Sequence, residues 1–334
     1  MEKQFLITPP VLPQAPDFNT PHYSKYPQRA LDSDIVRESK SFYLEFPQEA
    51  SKVLVHLALL EDLGSRGDVT SQAIFTSSHL SQAKLIAKED GVLCGQKIVD
   101  QIFEVYGDKT IQIDWFFSEG ALFKTGDCLL SLYGNTQSIL ECERTLLNFL
   151  QRFCAIATKT HSVVTLLANS NIILLDTRKT LPGYRLLDKY SVLVGGGANH
   201  RQGLFDQVLI KDNHADACGS VKLAADCCAN QYSNEPMIIQ AEVRTFSELQ
   251  SLLPGPTSWI LLDNMSYADM QTCIQWIRNI SPQVKIEASG NITPERLETL
   301  VDLDLDYISM GALTHSVSAL DLSLQLEHST LLTS

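Results

Sequence analysis

Six short apolar runs in the second half of the chain constrain its fold more than any other feature. Successive runs start about 20 to 35 residues apart, with helix-like sequence between most of them. The runs are NIILLD, QVLIKD, MIIQAEV, WILLDN, VKIEASG and DYISMG. Strands of this kind are buried on both faces, as in a parallel sheet covered by helices. The pattern therefore predicts repeated β-α units, and it leaves open whether they form a barrel or an open doubly wound sheet.

The sequence before these runs predicts a second, smaller unit. EASKVLVHLALLEDLG has helical spacing, and the stretch from about residue 83 to 132 contains short strand-like runs separated by turn sequences. Residues 136–168 contain no glycine or proline and carry apolar residues at three- and four-residue spacing, which predicts a long helix. The first 45 residues are rich in proline, serine and tyrosine, so we expect an irregular extension with a short helix near residues 34–39.

Composition and charge argue against some classes of protein. The 334 residues are 44% hydrophobic and 19% charged, which is typical of a globular chain with a sizeable core. The net charge of −13 argues against non-specific nucleic-acid binding, which needs a basic surface. No apolar run approaches the ~18 residues that cross a membrane, and the N-terminal residues lack the apolar segment of a secretory signal. We therefore expect a cytoplasmic protein with neither a nucleic-acid nor a membrane partner.

The eight cysteines favour free thiols over a disulfide framework. The chain is long and contains no Cys-x-x-Cys spacing. We expect reduced thiols in a reducing compartment, and the same spacing argues against a zinc site.

Each apolar run ends in polar or small residues. In parallel α/β folds the carboxyl ends of the strands lie on one face, where active sites form. The residues concerned are Asp176, Arg178, Lys179, Lys211, Asp212, Asn213, Glu242, Asp263, Asn264, Glu287, Ser289, Gly290, Ser309 and Gly311. Any loop is polar, so one such end is weak evidence, but six strands with the same pattern predict a shared site.

Cations are prominent among these strand ends. Arg178 and Lys179 are adjacent, and Lys211 occupies a position where a strand would carry an apolar residue. We expect Lys211 to be buried beside an anion, because a buried lysine without a partner is costly. GGGANHRQGL lacks the G-x-G-x-x-G spacing of a dinucleotide loop, and we interpret it as a turn that presents His200 and Arg201 to the same anion.

The last two strand ends indicate a phosphate site. EASGNIT and ISMGALTHS each place a glycine after a strand and before helix-like sequence, where backbone N–H groups can approach an anion. Glu242 and Asp263 suit either magnesium with a diphosphate or ion pairs with the lysines, and we favour the metal. No Ser-His-Asp order, catalytic cysteine or Walker loop occurs. Chemistry by positioning and electrostatic stabilisation fits this set better than covalent catalysis.

Longer stretches of the chain resemble the quinolinate phosphoribosyltransferase family. In family order, they are EDLGSRGDVTS, ERTLLNFLQRFCAIATKT, DTRKTLPGYRLLDKYSVLVGGGANHRQGLFDQVLIKDNH, AEV, LLDN, EASGNIT and DYISMGALTHS. The resemblance implies an α/β fold, an incomplete α/β (TIM-like) barrel with a smaller α+β N-terminal domain, assembled as a homodimer or higher oligomer. We accordingly divide the chain into an extension at 1–45, an N-terminal domain at 46–146 and a barrel at 147–316, with the tail 317–334 placed against the N-terminal domain.

The resemblance also implies a reaction and roles for individual residues. Quinolinate and phosphoribosyl pyrophosphate would give nicotinate mononucleotide, pyrophosphate and CO₂, with Mg²⁺, in de novo NAD biosynthesis. The residues implied for quinolinate are Arg144 from the neighbouring subunit, Arg178, His200, Arg201 and Lys211. Those implied for phosphoribosyl pyrophosphate are Lys179, Glu242, Asp263, Ser289, Gly290, Gly311 and His315. Of these, Lys179, Glu242 and Asp263 would be catalytic, and Glu242 and Asp263 would also hold magnesium.

A few positions depart from the family pattern, and two alternative functions stay open. Cys154 and Ala155 stand where serine and glycine are usual, and Gln240 where a glutamate is common; Arg185 is either structural or a ligand. One alternative is a related transferase with another anionic substrate, as in the molybdenum-transport-associated homologues. The other is a non-catalytic binding protein on the same fold. The cation set favours a dicarboxylate, and the complete set of charged strand ends favours an enzyme.

Overall fold

A computed structural model describes residues 45–235 and 237–327. The predicted extension at 1–45, with its short helix near residues 34–39, lies outside the described residues apart from residue 45. The N-terminal region contains α1 (Gln48–Leu63), α2 (Val69–Ile74), β1 (Leu80–Ala87), β2 (Gly91–Val92), α3 (Gln96–Tyr106), β3 (Gln112–Trp115), β4 (Leu122–Phe123), β5 (Cys128–Asn135) and α4 (Thr136–Leu166). Strands β1, β3 and β5 form a sheet, and β2 pairs with β4. The predicted helices at 49–64 and 136–168 are confirmed as α1 and α4.

Helix α3 was missed by the sequence analysis, which predicted only short strands in that stretch. It lies between Gly95 and Gly107, whose φ angles of 110° and 102° are in the region that glycine adopts without steric cost. Ile98 and Ile102 lie one helical turn apart and are fully buried. The helical spacing was present in the sequence, but the strand-like runs on either side obscured it.

The long helix α4 joins the two regions of the molecule. It begins where the Asn135 side chain accepts a backbone N–H from the first turn, which satisfies one of the unpaired donors there. Its first half buries residues such as Leu146 and Leu150 in the N-terminal core. Its second half buries Ile156 and Val163 in the core of the parallel sheet. One helix therefore fixes both cores relative to each other.

The second region confirms the predicted β-α repeat. Its elements are β6 (Ile173–Leu175), α5 (Arg185–Val194), β7 (Val208–Ile210), α6 (Asp212–Cys218), α7 (Val221–Gln231), β8 (Ile239–Val243), α8 (Phe246–Leu252), β9 (Trp259–Asp263), α9 (Tyr267–Ile280), β10 (Lys285–Ser289), α10 (Pro294–Leu300), β11 (Tyr307–Ser309), α11 (Ala312–His315) and β12 (Leu322–Leu326). Strands β6 to β11 form one parallel sheet in the order β6-β11-β10-β9-β8-β7. All six apolar runs are therefore strands of this sheet.

The strand order decides between the two architectures that the sequence left open. From β7 to β11 each new strand is added on the same side of the last one, and β11 then pairs with β6. A doubly wound sheet reverses direction in its middle, whereas a barrel does not. Within the described residues no ladder joins β6 to β7, although Ala198 forms a parallel bridge with Leu175 on the outer edge of β6. The fold is therefore an incomplete α/β barrel beside a smaller α+β region.

The last strand returns to the N-terminal region. Strand β12 pairs antiparallel with β1, with Leu322 opposite Ala87 and Leu326 opposite Ala83. The domain boundaries inferred from sequence stay predictions. In the described residues, no helix combines the length and the hydropathy needed to cross a membrane. All eight cysteines are free thiols, as expected.

Candidate active site

The carboxyl ends of the barrel strands bring distant polar residues to one rim. Because β9 and β10 are in register, Asp263 lies opposite Ser289, and Glu242 lies on the neighbouring strand β8. In the same way Ser309, at the end of β11, lies opposite the end of β6, directly before the Asp176–Lys179 stretch. The sequence prediction of a shared rim is therefore consistent with the register of the sheet.

Two arginines at this rim lie near each other, and Asp206 offsets only part of the effect of burial and of the second charge on Arg201. The buried Nε of Arg178 has no hydrogen-bond partner among the residues that the structure describes. Arg201 is 7% exposed, and burial, together with the nearby charge of Arg178, lowers its pKa. Its Nη1 donates to the backbone O of Gln207 at 3.1 Å. A buried donor next to a second guanidinium is costly unless an anion completes it, so this pair is suited to binding a carboxylate or phosphate.

A buried ion pair holds the glycine-rich segment against β6. Asp176 is fully buried and accepts hydrogen bonds from the Lys189 Nζ, from the Asn199 side chain at 2.7 Å and from the His200 N–H at 2.8 Å. Lys189 also donates to the His200 backbone O at 2.9 Å. These bonds place His200 and Arg201 at the open edge of the barrel. Asp176 was among the strand-end residues noted from sequence, but its partner Lys189 was not.

Two carboxylates lie on the neighbouring strands β8 and β9, close enough for the charge of Asp263 to act on Glu242. Burial, and next the charge of Asp263, raise the pKa of Glu242 from 4.5 to about 6, with Lys211 opposing this shift. Asp263 accepts a hydrogen bond from the Asn264 side chain at 2.8 Å. No cluster of three or more potential metal-ligating side chains occurs in the described ranges. These two carboxylates are hard oxygen ligands with too little positive charge around them, which suits Mg²⁺ provided that a ligand supplies further oxygens.

Lys211 differs from the sequence expectation. It is exposed rather than buried, because β7 ends at Ile210 and Lys211 is the N-cap of α6. Its backbone N–H donates to His214 Nδ1 at 3.0 Å. The expected burial was wrong, but the ammonium group still lies near enough to Glu242 to lower that carboxyl's pKa.

At two glycines of the rim, the missing side chain lets neighbouring residues lie directly against the backbone. Gly290 has φ of 89°, and a Cβ there would lie 2.2 Å from Asn264 Oδ1. A Cβ on Gly311 would lie 2.8 Å from Lys179 Cδ and 3.0 Å from His315 Cδ2. The glycine thus lets Lys179 and His315 converge. This is the arrangement expected of a phosphate cradle, since no side chain intervenes between the cations and the backbone.

Arg152 is a site-supporting residue that the sequence analysis did not single out. From α4 it donates to both carboxylate oxygens of Asp188 on α5, at 2.9 and 2.7 Å, and to the backbone O of Thr314 at 3.1 Å. It therefore joins α4, α5 and α11, the short helix that carries His315. Arg185, left undecided from sequence, bonds the backbone O of Gln202 at 3.2 Å, which is a structural contact.

Arg144 stands apart from the other predicted cations. It lies on α4 and is exposed, and it makes no hydrogen bond or ion pair with any residue in the described part of the chain. The two departures in α4, Cys154 and Ala155, are buried. The Cys154 thiol accepts the backbone N–H of Cys94 at 3.4 Å, so this cysteine joins α4 to the segment between β2 and α3.

Comparison with known proteins identifies the family models and the relatives that this chain matches. Residues 68–154 match the model of the quinolinate phosphoribosyl transferase N-terminal domain, and residues 156–325 match that of its C-terminal domain. The chloroplastic carboxylating nicotinate-nucleotide pyrophosphorylase of Oryza sativa subsp. japonica is 40% identical over 290 residues, covering 83% of this chain and 77% of the relative. A probable carboxylating nicotinate-nucleotide pyrophosphorylase of Bacillus subtilis is 38% identical over 276 residues, covering 83% and 93%.

Solved structures agree with this relationship. The nicotinate-nucleotide pyrophosphorylase of Francisella tularensis superposes with a TM-score of 0.78 at 36% identity, and NadC of Streptococcus pyogenes with a TM-score of 0.79 at 35% identity. Each alignment covers 85% of this chain and 98% of the other. Both family domains match in order along residues 68–325, and the chain belongs to the quinolinate phosphoribosyltransferase family.

Proposed function

We propose that this protein transfers the phosphoribosyl group of phosphoribosyl pyrophosphate to the ring nitrogen of quinolinate. Nicotinate mononucleotide, pyrophosphate and CO₂ are the products, and the reaction is a step of de novo NAD biosynthesis. The observation that carries this proposal is the unpaired, buried Nε of Arg178 beside the buried Arg201. Quinolinate carries two adjacent carboxylates, and guanidinium groups bind carboxylates through paired N–H donors.

The quinolinate end of the site is cationic. Arg178, Arg201 and Lys211 would surround the two carboxylates, with His200 beside Arg201. Arg144 of the partner subunit would complete this set in a homodimer. Its exposure on α4, without a partner in the described ranges, supports a contribution to a neighbouring chain.

The phosphoribosyl end holds groups suited to the transfer itself. The ring nitrogen of quinolinate forms a bond to the anomeric carbon of the ribose, and the bond from that carbon to pyrophosphate breaks. Positive charge develops on the ribose, and the carboxylates of Glu242 and Asp263 can stabilise it. Lys179 can stabilise the negative charge of the departing pyrophosphate. Residues that would hold the 5-phosphate are Ser289, Gly290, Gly311 and His315.

Decarboxylation follows from the first step. Transfer makes the ring nitrogen cationic, so the ring can accept the electron pair left when the bond to the 2-carboxylate breaks. CO₂ departs, and the ring carbon takes up a proton. The arginines need only hold the ring in place, since the cationic nitrogen provides the electron sink.

Magnesium fits the paired carboxylates of this site. Glu242 and Asp263 would hold it, with oxygens of the pyrophosphate group as further ligands. When bound, the ion would neutralise charge on the leaving pyrophosphate. A bound cation would counter the repulsion from Asp263, which contributes to the raised pKa of Glu242. We also propose a cytoplasmic location, while noting that the rice relative is named as chloroplastic.

The direct test is product stoichiometry. Purified protein is incubated with Mg²⁺, phosphoribosyl pyrophosphate and quinolinate labelled in the 2-carboxylate. We expect nicotinate mononucleotide, pyrophosphate and labelled CO₂ in equal amounts. If calorimetry showed tight binding of both substrates but no pyrophosphate appeared, the protein would instead be a non-catalytic binder.

A further inference from the structure

A closed loop of contacts runs through the interior of the barrel behind Arg201. The Arg201 guanidinium donates to the Gln207 backbone O at 3.1 Å, and the Gln207 side chain donates to Gln240 Oε1 at 2.9 Å. The Gln240 amide then donates to Glu287 Oε2 at 2.7 Å. His200 Nε2 lies 3.3 Å from the same oxygen, and His200 Nδ1 contacts the backbone N–H of Arg201 at 2.8 Å. All five residues are at most 7% exposed.

The contacts of His200 fix the position of its ring proton. A backbone N–H can only donate, so His200 Nδ1 must accept from Arg201 and carries no proton. The proton therefore lies on Nε2, the nitrogen that is 3.3 Å from Glu287 Oε2. The ring also stacks on Trp259, with centroids 5.4 Å apart and planes at 27°. Both nitrogens and one face of the imidazole are thus occupied by protein groups.

Glu287 is the common acceptor of this network. Its carboxylate is fully buried on β10, and the hydroxyl of Ser309 donates to its other oxygen. It therefore accepts hydrogen bonds from Gln240 and Ser309, and His200 Nε2 lies 3.3 Å from it; together these groups offset the cost of burying the charge. Gln240, the departure from the family pattern, supplies an N–H here where a second carboxylate would repel Glu287.

We propose that Glu287 is a positioning residue for quinolinate, acting through His200 and Arg201. The inference deepens the proposed function and rests on it. Arg201 is held at both its backbone and its guanidinium by the loop of contacts, and Glu287 supplies the only carboxylate in that loop. His200 accordingly contributes by orienting Arg201, since Nδ1 accepts the Arg201 N–H and Nε2 lies against Glu287.

The kinetic test is Glu287→Gln, which keeps the size of the side chain and removes its charge. We expect the KM for quinolinate to rise about tenfold, while kcat and the KM for phosphoribosyl pyrophosphate stay within about twofold. The matched control is Asp306→Asn, another carboxylate change, which precedes β11 at the opposite end of the strands and pairs with Arg278 and Lys285. It should leave both KM values unchanged, even if it lowers the melting temperature.

A second measurement does not depend on the Glu287→Gln variant. Nitrogen-15 NMR of the intact protein, with His200 assigned by comparison with His200→Gln, reports which ring nitrogen is protonated. We expect a proton on Nε2 and none on Nδ1. A proton on Nδ1, or an unchanged quinolinate KM in Glu287→Gln, overturns the inference. Absence of quinolinate turnover by the unaltered protein would sink the proposed function instead, and the NMR result would still judge the His200–Glu287 contact.

Discussion

Arg178 combines a buried, unpaired donor with a neighbouring positive charge, so its substitution separates charge from geometry. Arg178→Lys keeps the charge but loses the planar pair of donors. We expect the KM for quinolinate to rise at least about tenfold, measured by steady-state kinetics, because lysine cannot bind a carboxylate through two parallel bonds. Arg278→Lys, at an arginine paired with Asp304 and Asp306, is the matched control and should leave this KM unchanged. Equal KM values in both variants would contradict a role in binding the carboxylates.

Glu242 should leave a trace in the pH dependence of stability. Burial and Asp263 raise its pKa from 4.5 in the unfolded chain to about 6, so in this range the folded state binds more protons than the unfolded state. The contribution of this carboxyl to stability therefore falls as pH rises from 4.5 to 6. Glu242→Gln has no carboxyl to titrate here, so it does not lose stability in this way as pH rises. We expect its melting temperature relative to the unaltered protein to be about 1–2 °C higher at pH 7 than at pH 4.5, a small shift because the group is half-buried.

Glu248→Gln is the matched control for this measurement. Although burial opposes the change, hydrogen bonds from Arg244 lower the pKa of Glu248, so its contribution to stability has the opposite sign. Its relative melting temperature should be lower at pH 7 than at pH 4.5. The same sign of shift for both variants would show that the charge around Glu242 has been misjudged.

At the residue level, the sequence indicated the charged residues at the strand ends but not the residues that support them. Arg178, Glu242 and Asp263 each follow an apolar run, and this pattern is visible in the chain. The supporting role of Glu287, like the contacts of Gln207, depends on partners dozens of residues away. No local spacing records such pairs, because they are set by the curvature and register of the barrel.

At the level of elements, the Asp176–Lys189 ion pair anchors the glycine-rich segment at residues 197–200 against β6. Lys189→Met would leave the fully buried Asp176 without its cation. We expect the free energy of unfolding, measured by urea denaturation, to fall by about 3–5 kcal/mol. Lys222→Met, which breaks an exposed pair with Asp226, should cost no more than about 0.5 kcal/mol. A loss below about 1 kcal/mol for Lys189→Met would contradict the anchoring role.

The elements themselves were largely predictable. Near-continuous apolar runs gave all six barrel strands, and three- and four-residue spacing gave α1 and α4. The spacing could not show which strands are neighbours, so the choice between barrel and doubly wound sheet waited for the observed strand order. The sequence wrongly predicted that Lys211 is buried in a strand, because β7 ends one residue earlier, at Ile210. A lysine next to an apolar run gives the same pattern whether or not the strand includes it.

At the scale of the whole molecule, the proposed shared site predicts complementation between two inactive variants. Arg144→Ala and Arg178→Ala should each be poorly active alone. Mixed and allowed to exchange subunits, they should regain some activity, because one of the two sites in a hybrid dimer then contains both arginines. Labelled subunits would establish the exchange independently. Exchange without recovered activity would argue against a contribution of Arg144 to the neighbouring subunit.

We propose that the rim of this barrel selects a dicarboxylate for phosphoribosyl transfer. The most direct measurement is kcat/KM for quinolinate and for nicotinate, under identical phosphoribosyl pyrophosphate and Mg²⁺ concentrations. Nicotinate lacks the second carboxylate, so the guanidinium groups of Arg178 and Arg201 would lose one of their anions. We predict that quinolinate is preferred by at least about a hundredfold. Equal kcat/KM values for quinolinate and nicotinate would show that the rim does not select a dicarboxylate.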